Sequence, residues 1–355
     1  MSIAFLTSTL GRGGSERVLS IIANKFSSKG YKVYIFTLHD SQPTYFINEN
    51  ITLKSLGIPR DSFNILQRIK AIASAINKYK ISHTIALCSD VINATVILSK
   101  ILFRFDSKII STIRSNPLKK RSFLLRNLIF FFYKYADHIV VQTNFMYSYA
   151  RLFSKKNNIY IIPNPLEDIF FENPFLVKKN KKFDLLAVGR INKLKNHSQL
   201  IEALNILVNK YNMNLKLCIV GRDDGALINL KKKIDSFGLK KNIYFSGEVD
   251  KVDSFYLNSK IFLHVSFYEG MPNVILESKK YGLPIIVSKF DGSSEMISKN
   301  IDGIILKDFS AEELSLQIKK LYNEPKRIRL LSDNAFQTSK KYGIDNIFKQ
   351  WEKLL

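Results

Sequence analysis

Ser266-Phe267-Tyr268-Glu269-Gly270-Met271-Pro272-Asn273-Val274-Ile275-Leu276-Glu277-Ser278 follows the apolar run Ile261–Phe267, and the join between the two decides how the chain is read. An apolar run of that length reads as a buried strand. Pro272 suits a first helical turn, since it lacks only an N–H that would be unpaired there anyway. Gly270 permits a close backbone approach. Strand, tight turn and helix in succession are the repeating unit of a parallel sheet covered by helices. At such a turn the N–H groups around Met271, Asn273 and Val274 face any anion bound beyond the strand end.

The same alternation runs outward in both directions. Strand-like segments fall at 2–9, 31–38, 51–56, 83–89, 107–113, 137–143 and 158–163, and again at 183–189, 215–221, 242–247, 261–267, 284–288 and 303–306. Amphipathic stretches such as 15–29, 63–80, 91–104, 197–211 and 226–237 separate them. Two such series predict an α/β chain of two Rossmann-like domains with helices on both sheet faces. The break falls between Pro163-Asn164-Pro165 and Lys182, a stretch rich in proline, asparagine and lysine. The expected domains are 1–168, 169–336, and a final aromatic-bearing helix over 337–355 that packs back toward the first.

The chain has 355 residues, 46% hydrophobic and 24% charged, enough for two separate cores. Cys88 and Cys218 each sit in an apolar run, too few and too far apart for a disulfide or metal framework, which suits a reducing compartment. The start, Met1-Ser2-Ile3-Ala4-Phe5-Leu6, reads as a first strand and not a signal peptide. No run approaches the ~18 apolar residues of a spanning helix. A cytoplasmic protein is expected. Its net charge of +24 suits anionic lipid or phosphorylated substrates, or reflects a general lysine bias. No nucleic-acid recognition signature accompanies the charge.

Two more strand-to-helix turns carry chemistry. Leu10-Gly11-Arg12-Gly13-Gly14-Ser15-Glu16-Arg17 leaves the first strand, and its glycines serve either a ligand or a plain turn. A dinucleotide fingerprint needs Gly or Ala where Glu16 stands, which counts against a nicotinamide dehydrogenase. Gly189-Arg190-Ile191-Asn192-Lys193-Leu194-Lys195 leaves the first strand of the second series. Arg190 and Lys195 there suit a diphosphate leaving group, or form a solvated basic loop. Glu277, one turn into its helix, can accept paired hydrogen bonds from a vicinal diol such as ribose, unless it is an ordinary surface charge. Asp223-Asp224 reads as turn chemistry. His39, His83, His138, His197 and His264 match no metal spacing and read as structural or solvent-facing.

Glu269 and Glu277, with seven residues between them, resemble the E-x7-E signature of the retaining GT-B glycosyltransferases of family 4, also called group 1. Gly189-Arg190 with Lys195 is similar to that family's diphosphate-binding turn. Gly11 to Arg17 resembles its N-terminal glycine loop, and Ile162-Pro163-Asn164-Pro165 its interdomain segment. The resemblance spans nearly the whole chain. It implies a GT-B fold, two Rossmann-like domains facing across a cleft.

The resemblance also implies roles. Glu277 would hold the donor ribose and Glu269 the hydroxyls of the transferred sugar. Arg190 and Lys195 would carry the diphosphate, with Gly189 and the segment Gly270, Met271, Pro272, Asn273 and Val274 completing the donor site. Gly13 and Gly14 would shape the cleft floor. Together these imply a retaining transferase moving a hexose or N-acetylhexosamine from a nucleotide sugar, with UDP the preferred nucleotide, by front-face attack. The acceptor would be a lipid-linked glycan of O-antigen or capsule type. With no Asp-x-Asp triplet in the sequence, no metal and no cofactor are inferred.

One position departs from the family: many relatives carry a histidine after the fifth strand, where this chain has Thr112-Ile113-Arg114-Ser115-Asn116-Pro117. Arg114 would face sugar or phosphate there. Residues 118–135, basic and aromatic, form either a face resting on an anionic membrane or a covering helix. The competing readings are a nucleotide-sugar epimerase of the same architecture, which needs no acceptor, and a non-catalytic sugar-nucleotide-binding protein.

Overall fold

A computed structural model describes residues 1–62, 64–114, 130–154, 158–167, 170, 172–177 and 180–355. The chain divides into two compact units, Met1–Glu167 with Tyr342–Leu355, and Asp168–Lys341.

The first unit carries strands β1 (Ser2–Thr7), β2 (Lys32–Thr37), β3 (Thr52–Ser55), β4 (His83–Ala86), β5 (Lys108–Ile113), β6 (His138–Val141) and β7 (Ile159–Ile161). They form one parallel sheet in the order β3-β2-β1-β4-β5-β6-β7. Ile3, Ala4, Phe5 and Leu6 of β1 are all fully buried, so this strand is covered on both faces, as its unbroken apolar run requires. Chain order reverses between β1 and β4, so the switch point lies at their carboxyl ends.

Helix α1 (Gly14–Ser28) turns Val18, Leu19, Ile22 and Phe26 inward. Asn64 caps α2 (Ile65–Lys78) and Ser89 caps α3 (Asp90–Phe103), each accepting a backbone N–H into its side chain.

The second unit repeats the plan with β8 (Phe183–Val188), β9 (Leu217–Val220), β10 (Ile243–Gly247), β11 (Ser259–His264), β12 (Ile285–Val287) and β13 (Ile304–Ile305). This parallel sheet has the order β10-β9-β8-β11-β12-β13, with its switch point between β8 and β11. Helices α4 (His197–Asn205), α5 (Leu227–Ser236), α6 (Asn273–Lys280), α7 (Ala311–Tyr322) and α8 (Pro325–Ser339) belong to this unit. Leu200, Leu204, Leu217, Ile219, Ile261, Leu263, Leu314 and Ile318 share its core.

The helix read over 337–355 is broken in two. Residues up to Ser339 continue α8, and a separate helix α9 (Ile344–Glu352) begins after Gly343, which serves as its N-cap. α9 packs on α1: Phe348 meets Phe26 with ring centroids 4.8 Å apart, and Trp351 is 1% exposed. Burying each of these rings contributes on the order of 2–3 kcal/mol. Among the described residues no helix is long and apolar enough to cross a membrane.

Most of the basic segment, 115–129, lies outside the described residues, including Lys119, Lys120, Arg121 and Arg126. Its described end divides its aromatics. Tyr133 is buried and Phe130 stacks on Phe153 at 4.5 Å, whereas Phe131 and Tyr135 are exposed.

Candidate functional site

The site of the second unit is built on two glycines whose backbone conformations disfavour any other residue. Gly189 (φ +152°) follows β8 and Gly221 (φ +148°) follows β9, conformations that L side chains rarely adopt. A Cβ on Gly221 would lie 2.0 Å from the Gly189 carbonyl oxygen. The two strand ends therefore touch backbone to backbone. Gly189 N–H donates to Val220 O at 2.8 Å and Gly221 N–H to Gly247 O at 2.9 Å.

From Gly189 the chain turns through Arg190–Asn196. Lys195 N–H donates to the Asn192 side chain at 3.1 Å, and Asn196, at φ +51°, reverses the chain into α4. This sets the Lys195 stem beside Gly189, at ordinary contact distance from where a Cβ would stand.

The segment after β11 is tied to that turn. Phe267 N–H donates to Leu194 O at 3.0 Å, and Ser266 Oγ donates to the same oxygen at 3.1 Å. Glu269 is thereby set beside Lys195, and the two form an ion pair on Oε1 with their side chains 13% and 18% exposed. His264 Nε2 reaches the same oxygen at 3.1 Å and is 4% exposed. Burial alone would raise the Glu269 carboxyl, but Lys195 and His264 reverse this and hold it at about 2. Burial lowers His264, with Lys195 adding to it against the opposing pull of Glu269. Burial, with Lys195 and His264, takes His197 down to about 4. Apolar Ala187, Val188, Leu200, Leu263 and Val265 line a small pocket together with Lys195, His197 and His264.

Glu277 lies on α6 and is buried, accepting a hydrogen bond from Tyr256 Oη at 2.9 Å. Tyr256 is itself locked by stacking on Tyr281, with centroids 5.2 Å apart and planes at 7°. α6 starts at Asn273, with Pro272 as its N-cap (ψ +120°) and not within the first turn, and no side chain caps it. Met271 is buried, and Gly270, Asn273 and Val274 are half-buried around that helix start.

Arg190 is held apart from this cluster. Its guanidinium pairs with Asp224 at 3.2 Å, both side chains largely exposed, and Asn192 Nδ2 donates to the same carboxylate at 2.9 Å. Asp223 does the turn work expected of it, its side chain accepting from the N–H groups of Gly225, Ala226 and Leu227 at the start of α5.

In the first unit, Gly13 is the N-cap of α1, and a Cβ there would lie 2.1 Å from Glu16 Oε2. Glu16 thus folds back over Gly13 at the start of α1, the region a dinucleotide phosphate would need. Arg114 follows β5 and donates to the Asn164 side chain of Ile162-Pro163-Asn164-Pro165. The Gln142 amide, turned so that its oxygen accepts, takes Arg114 Nη2 at 3.1 Å and Asn164 Nδ2 at 2.9 Å. Burial lowers the Arg114 guanidinium to about 10, opposed by nearby Cys88 and Glu16. Cys88 has φ +86°, unusual for a residue with a side chain. Ser115, Asn116 and Pro117 lie outside the described residues.

The structure therefore joins Lys195 to Glu269 and leaves Arg190 on its own partner. Of the two readings of the histidines, His264 and His197 take the structural one, both buried, with His264 in contact with Glu269 and His197 lining the same space. The sequence signal for His264 was its place at the end of β11, five residues before Glu269. Tyr256 had none, since it reaches Glu277 from a separate short helix, Asp253–Leu257.

Residues 168–338 match the family described as Glycosyl transferases group 1, and residues 12–168 match Glycosyltransferase Family 4. The chain is 28% identical over 353 residues to the amylovoran biosynthesis glycosyltransferase AmsD of Erwinia amylovora, covering 97% of this chain and 96% of that protein. It is 28% identical over 364 residues to a Campylobacter jejuni enzyme, the GalNAc-alpha-(1->4)-GalNAc-alpha-(1->3)-diNAcBac-PP-undecaprenol alpha-1,4-N-acetyl-D-galactosaminyltransferase, covering 100% of this chain and 98% of that one. Among solved structures, Anabaena Alr3699/HepE in complex with UDP and glucose shares the fold, with a TM-score of 0.82 at 15% identity, covering 99% of this chain and 98% of that one.

Proposed function

This chain belongs to the group 1 glycosyltransferases and has their GT-B fold, and from that premise we propose that it moves a hexose or N-acetylhexosamine from a UDP-sugar to a hydroxyl of a lipid-linked glycan, with retention at the anomeric carbon. Glu277 receives the ribose diol, and Glu269 the hydroxyls of the transferred sugar. Lys195 and Arg190 neutralise the diphosphate as it leaves, assisted by the backbone from Gly270 to Val274. Arg114, in the first unit, contacts sugar or phosphate.

One observation carries this reading: Glu269 is a buried carboxylate kept ionised beside Lys195 at the switch point of the second sheet. A carboxyl at about 2 is a poor base at neutral pH, so it acts as a fixed acceptor of hydroxyl hydrogen bonds. Proton removal from the acceptor then falls to the departing phosphate. The Campylobacter relative acts on a diphospho-undecaprenol-linked glycan, and the Anabaena protein binds UDP and glucose, which supports the same classes here. A glycan of surface-polysaccharide type and work at the inner face of the cytoplasmic membrane fit that acceptor and the charge of +24.

The test is incubation with UDP-glucose, UDP-galactose and their N-acetyl counterparts, with and without a polyprenyl-diphosphate-linked sugar. An α-linked product formed only with acceptor is expected. An altered donor sugar without acceptor would make the protein an epimerase, and a β-linked product would remove the retaining mechanism.

A further inference from the structure

We propose that His264 is a positioning residue for transfer: its neutral imidazole pins Oε1 of Glu269, so that the other carboxylate oxygen stays aimed at the donor sugar when Lys195 turns to the diphosphate. The inference rests on the sugar-binding role of Glu269 given above.

Two donors meet on one oxygen. Lys195 Nζ and His264 Nε2 both contact Glu269 Oε1, and the two contacts differ in what can move. Lys195 ends a flexible four-carbon stem, and its ammonium is needed by the diphosphate. Were it the sole support, its departure would leave a desolvated carboxylate with nothing to orient it, and burial would then raise its pKa.

His264 cannot follow. Its carbonyl accepts from Ser288 N–H at 2.9 Å, and its ring lies nearly parallel to Phe262 (14°) and edge-on to Phe290 (79°). An ionised carboxylate only accepts hydrogen bonds, so the proton of the neutral ring must sit on Nε2. The charged and titratable groups facing His264 are Glu269, Lys195 and, from α4, His197. Burial keeps both imidazoles neutral at pH 7, so His264 steers Glu269 without adding a cation that would compete with Lys195.

The test compares H264F, which fills the space without a donor, with H264Q, whose amide reaches about as far as Nε2. UDP release from UDP-glucose, UDP-galactose and their N-acetyl counterparts, with a polyprenyl-diphosphate-linked sugar as acceptor, is followed against pH, together with UDP affinity. In H264F, kcat should fall about 10- to 100-fold for one lost charge-assisted hydrogen bond. UDP affinity should hold, and the acid limb of kcat should move upward as Glu269 loses a donor. H264Q should restore most of the rate and the original limb.

Wild-type kcat and pH profile in H264F, or no rescue by H264Q, would overturn the inference. E269A separates the two layers: if it is inactive while H264F is normal, only the present inference fails, whereas active E269A removes the role of Glu269 itself. Should H264F not fold, 15N NMR of the wild-type imidazole decides the matter. The Nε2–H tautomer, perturbed by E269Q, is expected, and the Nδ1–H tautomer would refute the proposal.

Discussion

Replacing Glu269 with Gln removes a charge and almost nothing else, so its effect on stability can be worked out. The carboxyl sits at about 2, against an ordinary 4.5, and its side chain is 13% exposed. That gap corresponds to about 3 kcal/mol favouring the folded state at pH 7, with the cost of burial already included. Because the folded pKa is depressed, this stabilisation is present above about 4.5 and is lost as pH falls through about 2. Linkage leaves most of this at pH 4 and less than half of it at pH 3. E269Q should therefore lower the melting temperature of the second unit by about 6–12 °C at pH 7. The difference from wild type should shrink by more than half at pH 3. Calorimetry at pH 7, 5, 4 and 3 reads both. A deficit that is small at pH 7, or unchanged at pH 3, would show that Lys195 and His264 do not hold a charged carboxylate.

Three further outcomes are expected. Gly221→Ala places a methyl 2.0 Å from the Gly189 carbonyl at φ +148°, and overpacking plus strain should cost about 2–5 kcal/mol; an unchanged melting temperature would contradict the backbone contact. Arg190→Ala and Lys195→Ala should each lower turnover by about 10²–10³ through lost stabilisation of the diphosphate, and near-normal rates in both folded variants would remove that assignment. Replacing Lys119, Lys120, Arg121 and Arg126 with Ser should abolish preferential sedimentation with anionic over neutral vesicles, at about 1 kcal/mol per charge and fading with salt; equal binding to both vesicle types would make the segment a covering helix.

The periodicity of the sequence was enough to place the sheets. Each segment read as a strand overlaps a strand of the structure, because the central parallel strands stand out as apolar runs, although β11 begins at Ser259, two residues before the read start. The read ends overshoot where Thr, Ser or Gly leaves the ladder, as after Thr7 and Val188. A single C-terminal helix was expected because aromatic periodicity continues across Gly343, just after the chain changes units between Lys341 and Tyr342.

The places of Glu269, Glu277, Lys195 and Arg190 at strand-to-helix turns of the second unit were legible, because the apolar runs mark where each strand gives way to a helix. Their pairing was not. Nothing in the sequence says that Lys195 reaches Glu269 while Arg190 turns to Asp224, since that follows from Asn192 capping the turn and Asn196 reversing it. His264 and Tyr256 act by contact across elements, which spacing along the chain does not encode.

The central claim is that the second unit binds a nucleotide sugar with Glu277 on the nucleotide and Glu269 on the sugar. Calorimetric titration of UDP into wild type, Glu277→Ala and Glu269→Ala tests it most directly. Glu277→Ala should weaken UDP by about 1.5–3 kcal/mol, the loss of a charged hydrogen-bonding partner. Glu269→Ala should bind bare UDP nearly as wild type does, yet release little UDP from a UDP-sugar when a polyprenyl-diphosphate-linked acceptor is present. If Glu269→Ala abolishes UDP binding while Glu277→Ala leaves it intact, the assignment is reversed; if wild type binds no nucleotide at all, the account is wrong.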